Sequence, residues 1–310
     1  MPLIPFVKVE GLGNDFLVVD LRAGQPATPH ADLVQGPETV RALCDRNFGV
    51  GGDGVLAILP GIAGDARMRV LNADGSEAEM CGNGIRCVAK VLYDLDPSTR
   101  RENLRIDTGA GLLECRIATQ AGVANTVTVQ MGAPRFAPNQ IPVQADQTPV
   151  LKAAFHAKDR DFAVTAVSMG NPHAVIFSEA SKDVLRDLAQ AYGSALEHDA
   201  RFPRRTNVEF ASVRKGSNGH HEIDLVVWER GCGITLACGT GACATVVAAC
   251  LEGRVDANQE VPVHLPGGTL FIRVAKTTSG DYSGVEMRGP ANIVFSAAID
   301  PAAIRRPDGR

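Results

Sequence analysis

The sequence predicts an α+β chain of two pseudo-symmetric domains. Each is a strand-rich, barrel-like layer wrapped around one central apolar helix, with an active site in the cleft between them. Three observations predict this. A Cys-Gly-x-Gly turn occurs twice, as Cys81-Gly82-Asn83-Gly84 and Cys238-Gly239-Thr240-Gly241, and each opens an apolar stretch. Seven residue pairs recur at one offset: Gly13 and Gly170, Asn14 and Asn171, Val18 and Val175, Val70 and Val227, Cys81 and Cys238, Gly82 and Gly239, Gly84 and Gly241 all lie 157 positions apart. One offset shared by many pairs marks a duplicated unit. Between these anchors run short β-branched segments punctuated by Gly, Pro, Asn and Asp, which read as strands and turns.

The elements follow in order. Residues 6–20 carry Phe6, Val7 and Val9, then Phe16-Leu17-Val18-Val19, around Gly11-Leu12-Gly13-Asn14-Asp15, the pattern of a hairpin with a glycine-rich turn. Residues 37–46 read as a short helix with Pro37 in its first turn. Residues 55–59 and 68–71 are strands, the first Cys-Gly-x-Gly turn leads into a helix over 85–93, and strands follow at 104–107, 112–118 and 125–130. The proline-bearing stretch Met131-Gly132-Ala133-Pro134 sets the domain boundary, giving 1–131 plus about 291–310 for the half with Cys81 and 132–290 for the half with Cys238. In the second half Gly170-Asn171 precedes Ala174-Val175-Ile176-Phe177, and an apolar helix runs from Ala242 to Leu251, stopped by Gly253. That helix is apolar on every side, so it is buried on every side. A buried helix start needs a partner for its first N–H groups, and a substrate anion is a natural one.

Composition narrows the function. Hydrophobic residues make up 45% of the 310 and charged residues 21%, as in an ordinary globular protein. A formal net charge of −4 without a basic stripe points away from nucleic acid. No apolar run approaches the roughly 18 residues a membrane span needs. The start, Met1-Pro2-Leu3-Ile4-Pro5-Phe6, lacks the charged and apolar regions of a secretory signal, so a cytoplasmic location is expected. None of the eight cysteines forms a Cys-x-x-Cys pair, and their spacings match no usual zinc pattern. Neither a metal nor a cofactor is expected. Cys44, Cys87, Cys115, Cys232, Cys243 and Cys250 read as packing residues.

Cys81 and Cys238 read differently. A cysteine at a helix start lies in a field that favours thiolate. The adjoining glycines admit a ligand close to the backbone, and the N–H groups there can hold a carboxylate. Two such turns related by a repeat suggest two thiols on opposite sides of one carbon. A base taking the Cα proton from one face and an acid returning one to the other would invert that centre. The helix starts would stabilise charge spread into the carboxylate. A dinucleotide site at Gly49-Val50-Gly51-Gly52-Asp53-Gly54 fails on context, because the motif opens a strand instead of a helix.

The segments Gly11-Leu12-Gly13-Asn14-Asp15-Phe16, Asn72-Ala73-Asp74-Gly75-Ser76, Met80 to Cys87, Gly170-Asn171-Pro172-His173, Thr206-Asn207-Val208-Glu209, Trp228-Glu229-Arg230-Gly231 and Ala237 to Ala242 resemble, in order, the diaminopimelate epimerase family, over about residues 6–293. Proline-racemase relatives typically carry Cys-Gly-His-Gly where this chain has Asn83. The resemblance implies interconversion of LL- and meso-diaminopimelate, on the route to lysine and peptidoglycan, without cofactor or metal, in a homodimer. It implies Cys81 and Cys238 as the catalytic pair, and Gly82, Asn83, Gly239 and Thr240 as donors to the reacting carboxylate. Asn14, Asn72, Asn171, Asn207, Glu229 and Arg230 become ligands to the rest of the substrate: a guanidinium can take the distal carboxylate and a carboxylate an ammonium. His173 and Glu229 are similar to residues that tune the cysteine pKa values. Some relatives have a polar substrate-facing residue where this chain has Gly54, so no ligand is assigned there. The arginine-rich tail, Ile304 to Arg310, carries no motif and is expected to be solvated. Two other classes compete. A thiol redox module would need sulfurs in bonding range, and a binding protein, or an epimerase for another amino acid, would use the same cradle differently.

Overall fold

The computed structural model describes residues 2–217 and 219–304, so the expectation for the tail beyond Ile304 lies outside the described residues. In chain order the elements of the first half are β1 (Ile4–Gly11), β2 (Asn14–Asp20), α1 (Ala31–Val34), α2 (Pro37–Cys44), β3 (Gly54–Leu59), β4 (Ala66–Asn72), β5 (Glu77–Ala78), α3 (Gly82–Leu95), β6 (Asn103–Thr108), β7 (Gly111–Gln120) and β8 (Val123–Gln130). They are followed by β9 (Ala153–Ala157), β10 (Arg160–Ser168), β11 (Pro172–Phe177), α4 (Lys182–Glu197), β12 (Asn207–Lys215), β13 (His221–Glu229), β14 (Gly233–Ile234), α5 (Gly239–Leu251), β15 (Glu260–Leu265), β16 (Gly268–Lys276), β17 (Tyr282–Pro290) and β18 (Asn292–Ile299). The chain divides into two compact units, Met1–Val129 with Gly289–Arg310, and Gln130–Arg288.

The first unit orders its strands β18-β1-β2-β3-β4-β6-β7-β8, with β5 against β4. All neighbours are antiparallel except β2–β3 and β4–β6. In the second unit the order is β9-β10-β11-β12-β13-β15-β16-β17, with β14 against β13 and parallel pairs at β11–β12 and β13–β15. The two orders match strand for strand, and the offset of 157 carries β6 at 103–108 onto β15 at 260–265. β18, from the end of the chain, holds in the first unit the place that β9 holds in the second. This is a two-domain, strand-rich α+β fold with few helices. Among the described residues neither unit closes its sheet into a barrel: the end strands β18 and β8 do not pair, nor do β9 and β17.

Each sheet is covered on both faces, and the strand sequences reflect it. In β2, Phe16, Leu17, Val18 and Val19 are all buried. Leu17 and Val19 join Val34, Val40 and Leu43 in one cluster with α1 and α2. Alternation along the strand then turns Phe16 and Val18 to the other face, where α3 packs. The second unit repeats the scheme: Val208 and Phe210 of β12 join Leu185, Leu188 and Leu196 of α4, which leaves Glu209 and Ala211 facing α5. A strand buried on both faces reads as a continuous apolar run. α5 is buried from Gly239 to Ala249 apart from Thr240. α3 is buried from Gly82 to Leu92, and that stretch includes Arg86 and Lys90.

Candidate active site

In the first unit the β1–β2 hairpin turns through Leu12 (φ 56°) and Gly13 (φ 81°), both left-handed, as two-residue hairpin loops require. This places Asn14 at the start of β2, beside the cap of α3. Cys81 is that cap, with extended backbone, and its Sγ accepts from Gly84 N at 3.3 Å. Cys81 Sγ also lies 3.9 Å from Asn14 Oδ1, which accepts from Asn83 Nδ2 at 3.2 Å. The other end of the Asn14 amide donates to Asp53 Oδ2 at 2.6 Å. Asp53 is held in turn by Arg46 at 2.8 Å. Beneath the helix start, fully buried Arg86 donates to Gly82 O at 3.0 Å, Asn83 Oδ1 at 3.0 Å and Pro290 O at 3.2 Å. Asn72, the last residue of β4, donates to Ser76 Oγ at 3.0 Å in the following turn. At Gly54 a Cβ would meet Leu71 O at 2.5 Å, so the strand pair leaves no room for a side chain there.

The second unit builds its helix tip from the same backbone plan. Cys238 caps α5 in extended conformation, and its Sγ lies 3.6 Å from Thr240 Oγ1. Asn171 Nδ2 donates to Thr240 Oγ1 at 3.3 Å, while Asn171 Oδ1 is 2.9 Å from His173 Nε2. His173 Nδ1 meets Glu209 Oε1 at 2.6 Å, with both side chains wholly buried. Asn207 ties β11 to the loop after β13: its Nδ2 donates to Pro172 O at 3.0 Å and its Oδ1 accepts from Arg230 N at 2.9 Å. Glu229 accepts from the Thr235 hydroxyl. Arg230 is exposed and donates to Arg204 O at 3.2 Å.

The first-turn amides of both helices, Gly82-Asn83 and Gly239-Thr240, have no carbonyl of their own helix within reach. They form the kind of N–H cradle that binds a carboxylate. Cys238 differs from the sequence expectation in one respect. A helix start favours thiolate, yet burial, then the charges of Glu229 and Glu209, push the Cys238 thiol well above its ordinary range. The helix field is outweighed there by desolvation. Burial likewise raises Cys44, Cys87 and Cys115 to about 12 and Cys250 to about 11, which suits packing residues. Among the described residues no group of three or more His, Cys, Asp or Glu side chains could hold a metal ion.

Of the sequence-predicted residues, Asn14, Cys81, Gly82 and Asn83 gather at the α3 tip and Asn171, His173, Cys238, Gly239 and Thr240 at the α5 tip, with Glu229 close enough to act on Cys238. The contacts of Asn72 and Arg230 lead instead to Ser76 and Arg204. Asp53, Arg86 and Glu209 were not predicted. Asp53 sits in the glycine-rich loop set aside as a failed nucleotide motif, and Arg86 and Glu209 sit inside recognised segments without a role.

The family model for diaminopimelate epimerase matches residues 6–137 and 165–294. A diaminopimelate epimerase of Desulfitobacterium hafniense is 46% identical over 94% of this chain and 97% of its own length. One from Synechococcus elongatus is 45% identical over 97% and 99%. A chloroplastic diaminopimelate epimerase of Oryza sativa is 44% identical over 94% and 78%. Among solved structures, a hydroxyproline epimerase from Agrobacterium vitis superposes with a TM-score of 0.68 at 14% identity, covering 98% of this chain and 94% of its own. A methylitaconate-delta-isomerase gives 0.64 at 14% identity, covering 98% of each chain. At such identities these structures speak for the fold alone. A family match in both halves, and relatives near 45% identical along almost the whole length, lead to one conclusion: the chain belongs to the diaminopimelate epimerase family.

Proposed function

We propose that this enzyme interconverts LL- and meso-2,6-diaminopimelate in lysine biosynthesis by a two-base reaction between Cys81 and Cys238, without a cofactor. The carrying observation is the pair of equivalent helix tips, each capped by a cysteine and followed by glycine amides suited to a carboxylate. One thiolate removes the Cα proton and becomes S–H, while the other thiol delivers its proton to the opposite face and becomes S⁻. The electron pair left on Cα spreads into the carboxylate, stabilised by the Gly82-Asn83 and Gly239-Thr240 amides. A two-base cycle needs one protonated partner and one ionised partner. Burial and the charges of Glu229 and Glu209 favour the protonated form of Cys238, which suits it to the acid role in one direction with Cys81 as base, and the roles exchange in the other. Asn14, Asn72, Asn171, Asn207, Glu229 and Arg230 hold the rest of the substrate, with Arg230 on the distal carboxylate and Glu229 near an ammonium. His173 and Glu229 tune the cysteines. On this reading the two compact units are the two epimerase halves, one per catalytic thiol.

Turnover of LL-diaminopimelate by the intact enzyme in deuterated water tests this. Cys81→Ala and Cys238→Ala should each lower both epimerisation and Cα deuterium incorporation by about 1,000-fold, the scale of a missing acid or base. Near-normal turnover by either variant rejects the scheme. Substrate should also protect two thiols from alkylation, which a redox module would not show.

The enzyme acts as a homodimer on this reading. Val294 and Phe295 of β18 are 57% and 44% exposed, an apolar strand at the end of a sheet that a second copy can cover. Light scattering should give twice the chain mass, and Phe295→Lys should shift it towards one. A cytoplasmic site accords with cysteines held as thiols, and among the described residues no helix is long and apolar enough to cross a membrane. Recovery of the enzyme in the oxidising fraction of a cell would contradict it.

A further inference from the structure

Glu209 is a fully buried carboxylate that the reaction as described does not use. It stands on β12 and faces α5, close enough that a Cβ on Gly241 would lie 3.0 Å from its Oε1 and 3.3 Å from Cys238 Sγ. Its Oε1 meets His173, and its Oε2 has no hydrogen-bond partner among the described residues. A buried carboxylate with one unmet oxygen is costly, so packing alone gives no reason for it. At the equivalent place in the first unit, where β3 pairs with β2 as β12 pairs with β11, stands Leu56.

From Glu209 an unbroken line of contacts reaches the sulfur: 2.6 Å to His173 Nδ1, 2.9 Å from His173 Nε2 to Asn171 Oδ1, 3.3 Å from Asn171 Nδ2 to Thr240 Oγ1, and 3.6 Å from there to Cys238 Sγ. Donor and acceptor rules give this line a direction. The proton between Glu209 and His173 can sit on either partner. If it is on the imidazole, both ring nitrogens carry hydrogen. If it is on the carboxyl, the O–H donates to Nδ1, and the ring's one hydrogen is on Nε2. Both arrangements leave Nε2–H pointing at Asn171 Oδ1, whereas an ionised Glu209 beside a neutral ring with hydrogen on Nδ1 would set a bare Nε2 against that oxygen, acceptor facing acceptor at 2.9 Å. The Asn171 amide is thereby fixed with its NH₂ towards Thr240, and the Thr240 hydroxyl, already accepting, has its hydrogen free for the sulfur.

We propose that Glu209 is a positioning residue for the Cys238 half of the reaction: by holding His173 with hydrogen on Nε2, it orients the Asn171 amide and the Thr240 hydroxyl so that the hydroxyl donates to the Cys238 thiolate. No proton travels along the line. Cys238 gives its own proton to the substrate carbon, and the sulfur left behind gains a donor already in place. Without the carboxylate, a neutral His173 can carry its hydrogen on Nδ1, the amide can turn over, and Thr240 then donates to Asn171 Oδ1 and away from sulfur. The titratable groups around this line are His173 on β11, Glu209 on β12, Glu229 on β13 and Cys238 at the α5 cap, and both Glu229 and Glu209 oppose ionisation of Cys238.

The inference rests on Cys238 being a catalytic thiol, and its test separates the two ideas. In the full-length enzyme, Glu209→Gln and Glu209→Leu should each lower kcat by about 10- to 100-fold, the usual cost of removing a group that orients a reacting one, with KM changed less than about twofold. Leucine is what the first unit carries there, so Glu209→Leu guards against a fold defect in Glu209→Gln. The pH midpoint for alkylation of Cys238, followed by mass spectrometry, should move in both variants, while that of Cys81 stays in place. In the wild type, ¹⁵N NMR of labelled histidine should find His173 protonated on Nε2 from pH 6 to 9. Normal kcat in the Glu209 variants, joint movement of both thiol midpoints, or a bare Nε2 would overturn the role of Glu209. If Cys238→Ala itself turned over normally, the reading of the site would fail instead.

Discussion

The tips of α3 and α5 share a backbone plan and differ in what lines it. Strand register, capping cysteine and flanking glycines are the same. Phe16 and Leu56 of the first unit occupy the places of His173 and Glu209 in the second, and Arg86 and Lys90 those of Cys243 and Val247. The two equivalent asparagines are turned end for end. Asn14 gives its NH₂ to Asp53 and its oxygen to the cysteine side, whereas Asn171 takes His173 on its oxygen and sends its NH₂ towards Thr240. Duplication kept the frame, and divergence changed the charges within it. Two identical sulfur groups can thus start a cycle in different protonation states, which an exactly symmetric site could not impose.

The widest contrast concerns the thiols outside the chemistry. Three of them in the first unit, Cys44, Cys87 and Cys115, are raised from 9.0 to about 12 by burial. A thiol raised on folding favours the native state fully below about 9, and that stability is lost as pH climbs through about 12. Each can remove up to about 1.4 kcal/mol per pH unit within that window. Urea midpoints measured from pH 8 to 11 should fall steeply beyond pH 9, and replacing the three by Ala and Val should flatten the fall. A flat profile in the parent enzyme would show that these thiols are not desolvated.

A smaller effect separates the two helices. Arg86→Met strips three carbonyl oxygens, two of them in buried hydrogen bonds, of a charged donor and should cost about 3 kcal/mol in denaturant unfolding. Cys243→Val, at the equivalent position in α5, should stay within about 1 kcal/mol because it exchanges one small apolar group for another. Equal losses would mean that the first helix gains nothing from its cation. The smallest test addresses the asparagines. Asp53→Ala frees the Asn14 amide to rotate and should lower kcat about tenfold, whereas Asp53→Asn, which keeps an acceptor, should restore most of it. If both variants were equally active, the orientation of Asn14 would not matter to Cys81.

Much of this was legible in the sequence. The offset of 157 located both helix tips, because a duplicated backbone keeps glycines where left-handed turns or close approaches require them. The hairpin before Asn14 followed from Gly13, and α2 from Pro37. The second layer of each unit was not legible. α4 spans 16 residues and its counterpart α2 only 8, so the repeat says nothing about it. Glu209 shows the limit most clearly. In Asn207-Val208-Glu209-Phe210-Ala211 the alternation sets Glu209 opposite Val208 and Phe210, which on one strand reads as a solvent face. Only the topology reveals that this face meets another buried helix. The lowered thiol pKa expected at a helix start does not hold at Cys238 for a related reason, since a helix-start field can be read from sequence but the desolvation opposing it cannot.

The outermost strand of the first unit is supplied by residues 292–299, after the entire second unit has been made. During synthesis the Cys238 half, one uninterrupted segment, can complete its sheet while the Cys81 half still waits for a strand to cover β1. A stretch made after the second unit therefore finishes the part that was begun first. Chains cut short before it would carry a complete α5 tip beside an unfinished sheet, exposed to pairing with other chains.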